Sequence, residues 1–291
     1  MKTLILGATG FMGKNISQHF PNAHCVGSEH HNFESGIGAD KFDHHYDVII
    51  NCVGKYGGLP YNQKHGKKIF FDNTTINNHI NQLIEKIKPK RYVRIYSACM
   101  YPSVDYQVTE QILNTGYQLA ESVKWSALPQ LNDLSYLKQS NLSFDALVVT
   151  NCYGYHDHYD HEKSHIIGSL LTKIKENKDP IQMIGTGTGK RDFVFAGDVG
   201  QVINKLLKVP SSNSALNVSS GVFLSIKEVV DIIIQKYGYQ GKIIWGEDKD
   251  NGVLFKGLDN TNLVNKIGQF EFTLFENGIL DTIGNFKQFL P

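Results

Sequence analysis

Met1-Lys2-Thr3-Leu4-Ile5-Leu6-Gly7-Ala8-Thr9-Gly10-Phe11-Met12-Gly13 sets a short apolar run against a turn with three glycines. A helical pattern then runs over 11–20. A strand that empties through glycines into a helix brings free backbone N–H groups and the positive end of the helix dipole to one point, where a pyrophosphate can approach. Gly7, Thr9, Gly10, Phe11, Met12 and Gly13 are therefore read as the phosphate cradle of a dinucleotide.

Working outward, further apolar runs fall at 24–27, 47–53, 92–96 and 142–150, with helical stretches expected at 73–87 and 117–137. Parallel strands need long crossovers, so this alternation predicts an α/β, Rossmann-type doubly wound parallel sheet. Past Tyr153 the rhythm loosens. Helices are expected at 166–175, 199–208 and 225–236, the last capped by Ser225 with Glu228 three residues on, and short strands at 181–184, 215–218 and 242–245. The expected organisation is a nucleotide-binding domain over 1–153. Residues 154–291 form a smaller C-terminal α+β substrate-binding region, with some return of chain to the first sheet.

Composition narrows the function. The chain has 291 residues, 41% hydrophobic and 20% charged, and 29 Lys+Arg against 28 Asp+Glu leave a net charge of +1, which argues against nucleic-acid binding through a broadly basic surface. No apolar run reaches the roughly 18 residues of a membrane helix. The glycine turn interrupts the start before a signal-peptide core forms, and Cys25, Cys52, Cys99 and Cys152 are scattered, so a cytoplasmic protein is expected. Behind the cradle, Asp40 is a candidate adenine contact and Val53-Gly54 a candidate backbone lining, each with a plain loop reading beside it. The second strand leads into Ser28-Glu29-His30-His31, which offers neither a clear acidic ribose ligand nor an arginine for a 2′-phosphate, so NAD and NADP both stand open.

Gly7-Ala8-Thr9-Gly10-Phe11-Met12-Gly13 has the GxxGxxG spacing of short-chain dehydrogenases, and five further segments extend the likeness. They are Val53-Gly54-Lys55-Tyr56-Gly57-Gly58, Ser97-Ala98-Cys99-Met100-Tyr101-Pro102, Thr150-Asn151-Cys152-Tyr153-Gly154, Ser164-His165, and Gly185-Thr186-Gly187 with Arg191-Asp192-Phe193-Val194 and Asp198-Val199. In this order they resemble the extended short-chain dehydrogenases, the nucleotide-sugar epimerase/dehydratase family, most nearly its GDP-L-fucose synthase branch. That resemblance implies NADP or NAD as cofactor, with NADP slightly favoured, a GDP-linked nucleotide-sugar substrate, and a homodimer. It also implies epimerisation at C3 and C5 of a 4-keto-6-deoxy sugar, followed by reduction at C4.

By the same resemblance Cys99 and His165 are the epimerisation pair and Ser97 a hydroxyl donor to the carbonyl. A proton beside a ketone is acidic because the carbanion delocalises onto oxygen, and inverting that centre needs a base on one face and an acid on the other. Asn151, Lys173, Arg191 and Lys256 are candidate substrate ligands, Arg191 for the pyrophosphate through its bidentate fork; the two lysines admit a solvated reading equally. The departure is the family's Tyr-x-x-x-Lys, whose tyrosine gives a proton to the carbonyl. An ungapped register puts Ser122 and Ser126 at its two positions, and the other register offers Tyr117 with Glu121 in place of lysine. The expectation is an epimerase that has lost its reductase pair. The alternatives are a complete epimerase–reductase using Tyr117 and a degenerate cofactor-binding subunit. His156-Asp157-His158-Tyr159-Asp160-His161 has no metal spacing and is read as a substrate-side or solvated loop, with no metal.

Overall fold

β1 (Thr3–Leu6), buried throughout, pairs in parallel with β2 (His24–Val26) on one side and β3 (Val48–Asn51) on the other. Beyond β3 lie β4 (Arg91–Ser97), β6 (Phe144–Val149) and β10 (Ser214–Val218), so the parallel sheet runs β10-β6-β4-β3-β1-β2. Strand order reverses between β1 and β3, and there the C-terminal strand ends open a crevice. The structure, a computed structural model, describes residues 1–36, 42, 45–248 and 253–288. Asp40 lies outside the described residues.

Two apolar layers cover the sheet. On one face Ile16 of α1 (Phe11–Ser17) and Val199, Val202 and Ile203 of α6 (Ala196–Leu206) pack with Ile5, Ile50 and Leu147. On the other, Ile76, Ile80 and Ile84 of α3 (Gly66–Ile87) and Leu134 and Leu137 of α4 (Lys124–Gln139) pack with Leu4, Ile49 and Tyr92. Residues burying both sheet faces explain why the strands read as continuous apolar runs.

A second sheet carries β11 (Phe223–Ser225), β9 (Lys190–Phe195), β13 (Phe255–Leu258) and β5 (Gln107–Val108) in that order, with β7 (Asn151–Tyr153) also on β9. Its own core gathers Tyr153, Phe193 and Phe195 with Leu170 of α5 (Ile166–Lys175), Val230 of α7 (Ile226–Tyr237) and Ile279 of α9 (Phe275–Gln288). The capping box expected at Ser225 and Glu228 is formed in both directions. Two helix starts differ from expectation. α3 begins at Gly66 rather than Asn73, and Trp125 packs against Gly66 there, where a Cβ would stand 2.6 Å from the indole. The helix expected from Tyr117 begins only at Lys124, because Tyr117 is drawn out of line to donate its hydroxyl to the Met100 carbonyl at 2.8 Å.

The interior of the first sheet holds a charge. Arg94 of β4, 1% exposed, donates to Asp133 of α4 at 2.9 Å, to Asn77 of α3 at 3.0 Å and to the Val53 carbonyl at 3.0 Å. Asp133 also accepts from Tyr96 and Asn81. Removing one partner of such a pair strands the other charge, which costs about 3–5 kcal/mol, whereas apolar replacement of both is far cheaper. Arg94→Met and Asp133→Leu are each expected to lose about 3–5 kcal/mol in urea denaturation, and the double variant less than the sum. Additive losses would show that the two groups are not coupled.

Candidate active site

The glycine turn has the geometry its spacing predicts. Gly7 adopts φ +81° with β3's exit at its back, where a Cβ would stand 3.0 Å from the Cys52 carbonyl carbon and the Val53 nitrogen. A Cβ on Gly13 would meet the Gly7 carbonyl oxygen at 2.0 Å, so only glycine lets α1 sit this close to the turn. Gly27, after β2, is pressed against the Thr9 side chain in the same way. No side chain caps Gly10, which leaves the first N–H groups of α1, those of Phe11 and Met12, facing the turn without helical partners. Val53 and Gly54 border this cradle at the end of β3. After β2, Ser28, Glu29 and His30 are exposed.

β4 ends at Ser97, whose N–H is held by the Gln130 side chain of α4 at 2.7 Å. Ser97 caps a single 3₁₀ turn, Ala98–Met100, its hydroxyl accepting the Cys99 N–H at 3.2 Å. The Cys99 thiol meets a cation: the Lys256 ammonium of β13 lies 3.5 Å from its sulfur. Burial alone would raise the thiol, but the Lys256 charge and hydrogen bonds from Ser97 and Lys256 outweigh it, and the net shift is downward. For Cys52 and Cys152 desolvation dominates instead, even with Arg94 near Cys52, and both are pushed up, Cys52 to about 12. Lys256, read from sequence as a substrate ligand or a solvated lysine, is half-buried and sits on the thiol.

His165 is the residue before α5 and is exposed. The protein crowded around it lowers its basicity, and the nearby His158 and Lys256 lower it further. Lys256 therefore acts on both Cys99 and His165, bringing together groups from opposite halves of the chain. The loop leading to His165 is seated on the segment after β3: Gly58 donates to the Lys163 carbonyl at 2.8 Å, and a Cβ there would meet the Ser164 carbonyl oxygen at 2.4 Å. The Ser164 hydroxyl ties this loop back to the His158 carbonyl at 2.6 Å. Within 156–161, His161 pairs with Glu176 and Asp160 accepts from the N–H groups of Glu162 and Lys163. No metal-holding group of three or more His, Cys, Asp or Glu exists among the described residues.

The remaining candidates are dispersed around this centre. Lys256 and Arg191 are register partners on β13 and β9, so two cations stand side by side. No carboxylate pairs with Arg191 among the described residues; it donates to the Lys190 carbonyl. Asn151 donates its amide to the Asp192 carbonyl at 2.7 Å, and Lys173 donates to the Gln182 carbonyl at 3.0 Å, holding α5 to β8 (Ile181–Gln182). Ser122 lies in the turn before α4, Ser126 is buried in its first turn, and Tyr117 braces the Met100 carbonyl. Burial raises the Tyr117 phenol to about 12. Sequence reasoning missed Gln130, whose side chain fixes Ser97 from α4.

A model of the NAD dependent epimerase/dehydratase family matches residues 3–219. The chain is similar to the GDP-L-colitose synthase of Yersinia pseudotuberculosis, 26% identical over 305 aligned positions that cover 97% of this chain and 96% of that protein. Among solved structures it superposes on a GDP-6-OMe-4-keto-L-xylo-heptose reductase from C. jejuni with a TM-score of 0.88 at 18% identity, covering 99% and 98% of the two chains. It superposes also on a GDP-L-fucose synthetase from Naegleria fowleri bound to NADP, with a TM-score of 0.81 at 20% identity over 98% and 92%.

One acid in the loop before His165 sets a pH dependence. Burial raises Asp157 from 3.8 to about 7, with one oxygen accepting the His158 N–H and the other without a partner. A raised carboxyl favours the fold fully below pH 4, and that contribution is lost as pH climbs through 7. Asp157→Asn is expected to match the wild type near pH 4 and exceed it by up to about 4 kcal/mol at pH 8 in urea denaturation. A difference independent of pH would refute the assignment.

Proposed function

The chain belongs to the NAD-dependent epimerase/dehydratase family, and on that premise we propose that it is a nucleotide-sugar epimerase acting at C3, C5 or both of a GDP-linked 4-keto-6-deoxy sugar. The observation that carries the reading is the Lys256 ammonium 3.5 Å from the Cys99 sulfur, and the same cation lowers the basicity of His165. GDP-sugar synthases among the relatives support the substrate class. The cofactor is NADP or NAD, held by Gly7, Thr9, Gly10, Phe11, Met12 and Gly13 with Val53 and Gly54 alongside. When bound, it supplies hydride exchange at a carbonyl.

The proton chemistry belongs to this chain's own residues. His165, held neutral near pH 7 by its surroundings, takes the proton from the carbon beside the ketone. Cys99, a stronger acid than an ordinary thiol, returns a proton on the opposite face, and Lys256 stabilises the thiolate left behind. Ser97, its N–H held by Gln130, donates its hydroxyl to the oxygen that gains charge. Arg191, beside Lys256 and unpaired with any carboxylate among the described residues, holds the anionic diphosphate. With Ser122 and Ser126 at the family's tyrosine and lysine positions, and the Tyr117 hydroxyl donated to Met100, reduction at C4 has no such pair to run on. By the same resemblance two copies pair through α3 and α4, consistent with the exposed Phe71 on α3.

In D₂O, the enzyme with its keto-sugar is expected to incorporate deuterium at C3 or C5 without oxidising NADPH, and Cys99→Ser and His165→Gln to lose about 10²–10⁴ in rate. Stoichiometric NADPH oxidation would refute the loss of reduction, and absence of exchange would refute the epimerase reading. Activity should rise as pH passes up through His165's titration, below the usual 6.5, and fall as Cys99 ionises, below the usual 9.0. Lys256→Met removes a cation that lowers both, so both limbs of the pH–rate profile are expected to move to higher pH. Unmoved limbs would show that Lys256 does not couple the pair.

A further inference from the structure

The contact between Cys99 and Lys256 joins residues 157 apart in sequence through their most reactive atoms. Cys99 stands on the 3₁₀ turn that follows β4 of the first sheet, and Lys256 on β13 of the second. Sulfur and nitrogen are 3.5 Å apart, a separation at which the two atoms already touch. Both backbones are fixed from behind. The Cys99 N–H is held by the Ser97 hydroxyl at 3.2 Å, and Lys256 is locked in register with Arg191 of β9. Each residue is only partly buried, so a small solute entering from solvent reaches the pair.

A thiol set against an ammonium has chemistry beyond proton transfer. The thiolate is the form that peroxide oxidises. Burial opposes it, but the Lys256 charge and hydrogen bonds from Ser97 and Lys256 carry the Cys99 thiol below its ordinary value, whereas burial raises Cys25, Cys52 and Cys152. The first product, a sulfenic acid, has an electrophilic sulfur and two fates. Left alone it is oxidised again to a sulfinic acid that thiols do not recover; beside a nitrogen nucleophile it condenses to a sulfenamide. Here a side-chain nitrogen is already in place, on a flexible stem that closes the remaining distance.

We propose that Cys99 and Lys256 form a redox modification site, in which hydrogen peroxide drives a reversible Sγ–Nζ bond that shields the thiol from irreversible oxidation. The Cys99 thiolate attacks one peroxide oxygen: an S–O bond forms, the O–O bond breaks and hydroxide leaves. Sulfur is thereby oxidised by two electrons and the peroxide reduced by two. The hydroxide takes a proton from the Lys256 ammonium, giving water and a free amine. The amine lone pair attacks sulfur, the S–O bond breaks, and the oxygen departs as a second water with a proton from nitrogen. Thiolate, ammonium and one peroxide have then become one sulfenamide and two waters. Dithiothreitol reverses the bond, returning thiol and amine and forming its own disulfide. While it lasts, the bond ties β13 to the end of β4 and withdraws both groups from proton chemistry.

The test is mass spectrometry of the full chain, purified with its cofactor, reduced, treated with a few-fold excess of hydrogen peroxide and digested without reductant. The expected product joins the peptides that hold Cys99 and Lys256. It is about 2 Da lighter than their sum, for the two hydrogens lost, and dithiothreitol parts it into unmodified peptides. Lys256→Arg keeps the cation but removes the amine, so its Cys99 is expected to gain two oxygens, about 32 Da, and to stay oxidised in dithiothreitol. A wild type whose Cys99 carries sulfenic or sulfinic acid with Lys256 unlinked overturns the inference, whether or not the variant folds. A link from Cys99 to any other residue overturns it as well. A Lys256→Arg thiol recovered as fully as that of the wild type overturns the shielding. Because the readout is a mass, a linked protein that exchanges no deuterium refutes the epimerase reading and leaves this site standing.

Discussion

A guanidinium sealed inside a parallel sheet has five N–H donors and no water to meet them, so the protein around it must supply acceptors at fixed positions. Arg94 finds them in Asp133 of α4, Asn77 of α3 and the carbonyls of Asn51 and Val53 where β3 ends. Those acceptors come from elements of the first sheet that border the site. The segment after β3 borders the cofactor cradle, α4 holds Ser97 through Gln130, and β4 itself runs into the Cys99 turn. One buried charge therefore ties the cofactor side to the chemistry side. This is a use of buried polarity as a positioning device, since apolar packing alone would hold these elements together without fixing their register.

The second sheet completes the site from the other side. Pairing β13 with β9 puts Lys256 beside Arg191, and the same pairing aims Lys256 at the Cys99 sulfur. The aromatic cluster of Tyr153, Phe193, Phe195 and Phe275 fixes this sheet against α9. The 154–165 loop leaves that cluster and docks on Gly58. Cleft electrostatics follow from the arrangement. A cation acting on a thiol and an imidazole favours the deprotonated form of each. The same lysine could not do this from a flexible surface position, where solvent would screen it.

Much of the framework is legible in the chain because its determinants are local. Gly7, Gly10 and Gly13 are needed by one turn and one helix, and the Ser225–Glu228 box spans three residues. The apolar runs of β1, β3, β4 and β6 report burial on both faces of a sheet. The expectation failed where distant contacts override local preference. Gln118, Leu119, Ala120 and Glu121 are ordinary helix formers, yet the segment is held off the helix by Tyr117 docking on Met100. α3 gained its first turns where Trp125, far along the chain, packs on Gly66.

By itself the chain determined the nucleotide fold and the cradle glycines, because periodicity and turn chemistry act over a few residues at a time, while the candidacy of Cys99 and His165 came from the resemblance of its ordered motifs to a known family. Only the tertiary structure decided that Lys256 faces a thiol rather than solvent and that His165 loses basicity. Those properties depend on through-space distance and exclusion of water. Cys99 and Lys256 are 157 residues apart in sequence and 3.5 Å apart in space, a relation that no local pattern encodes.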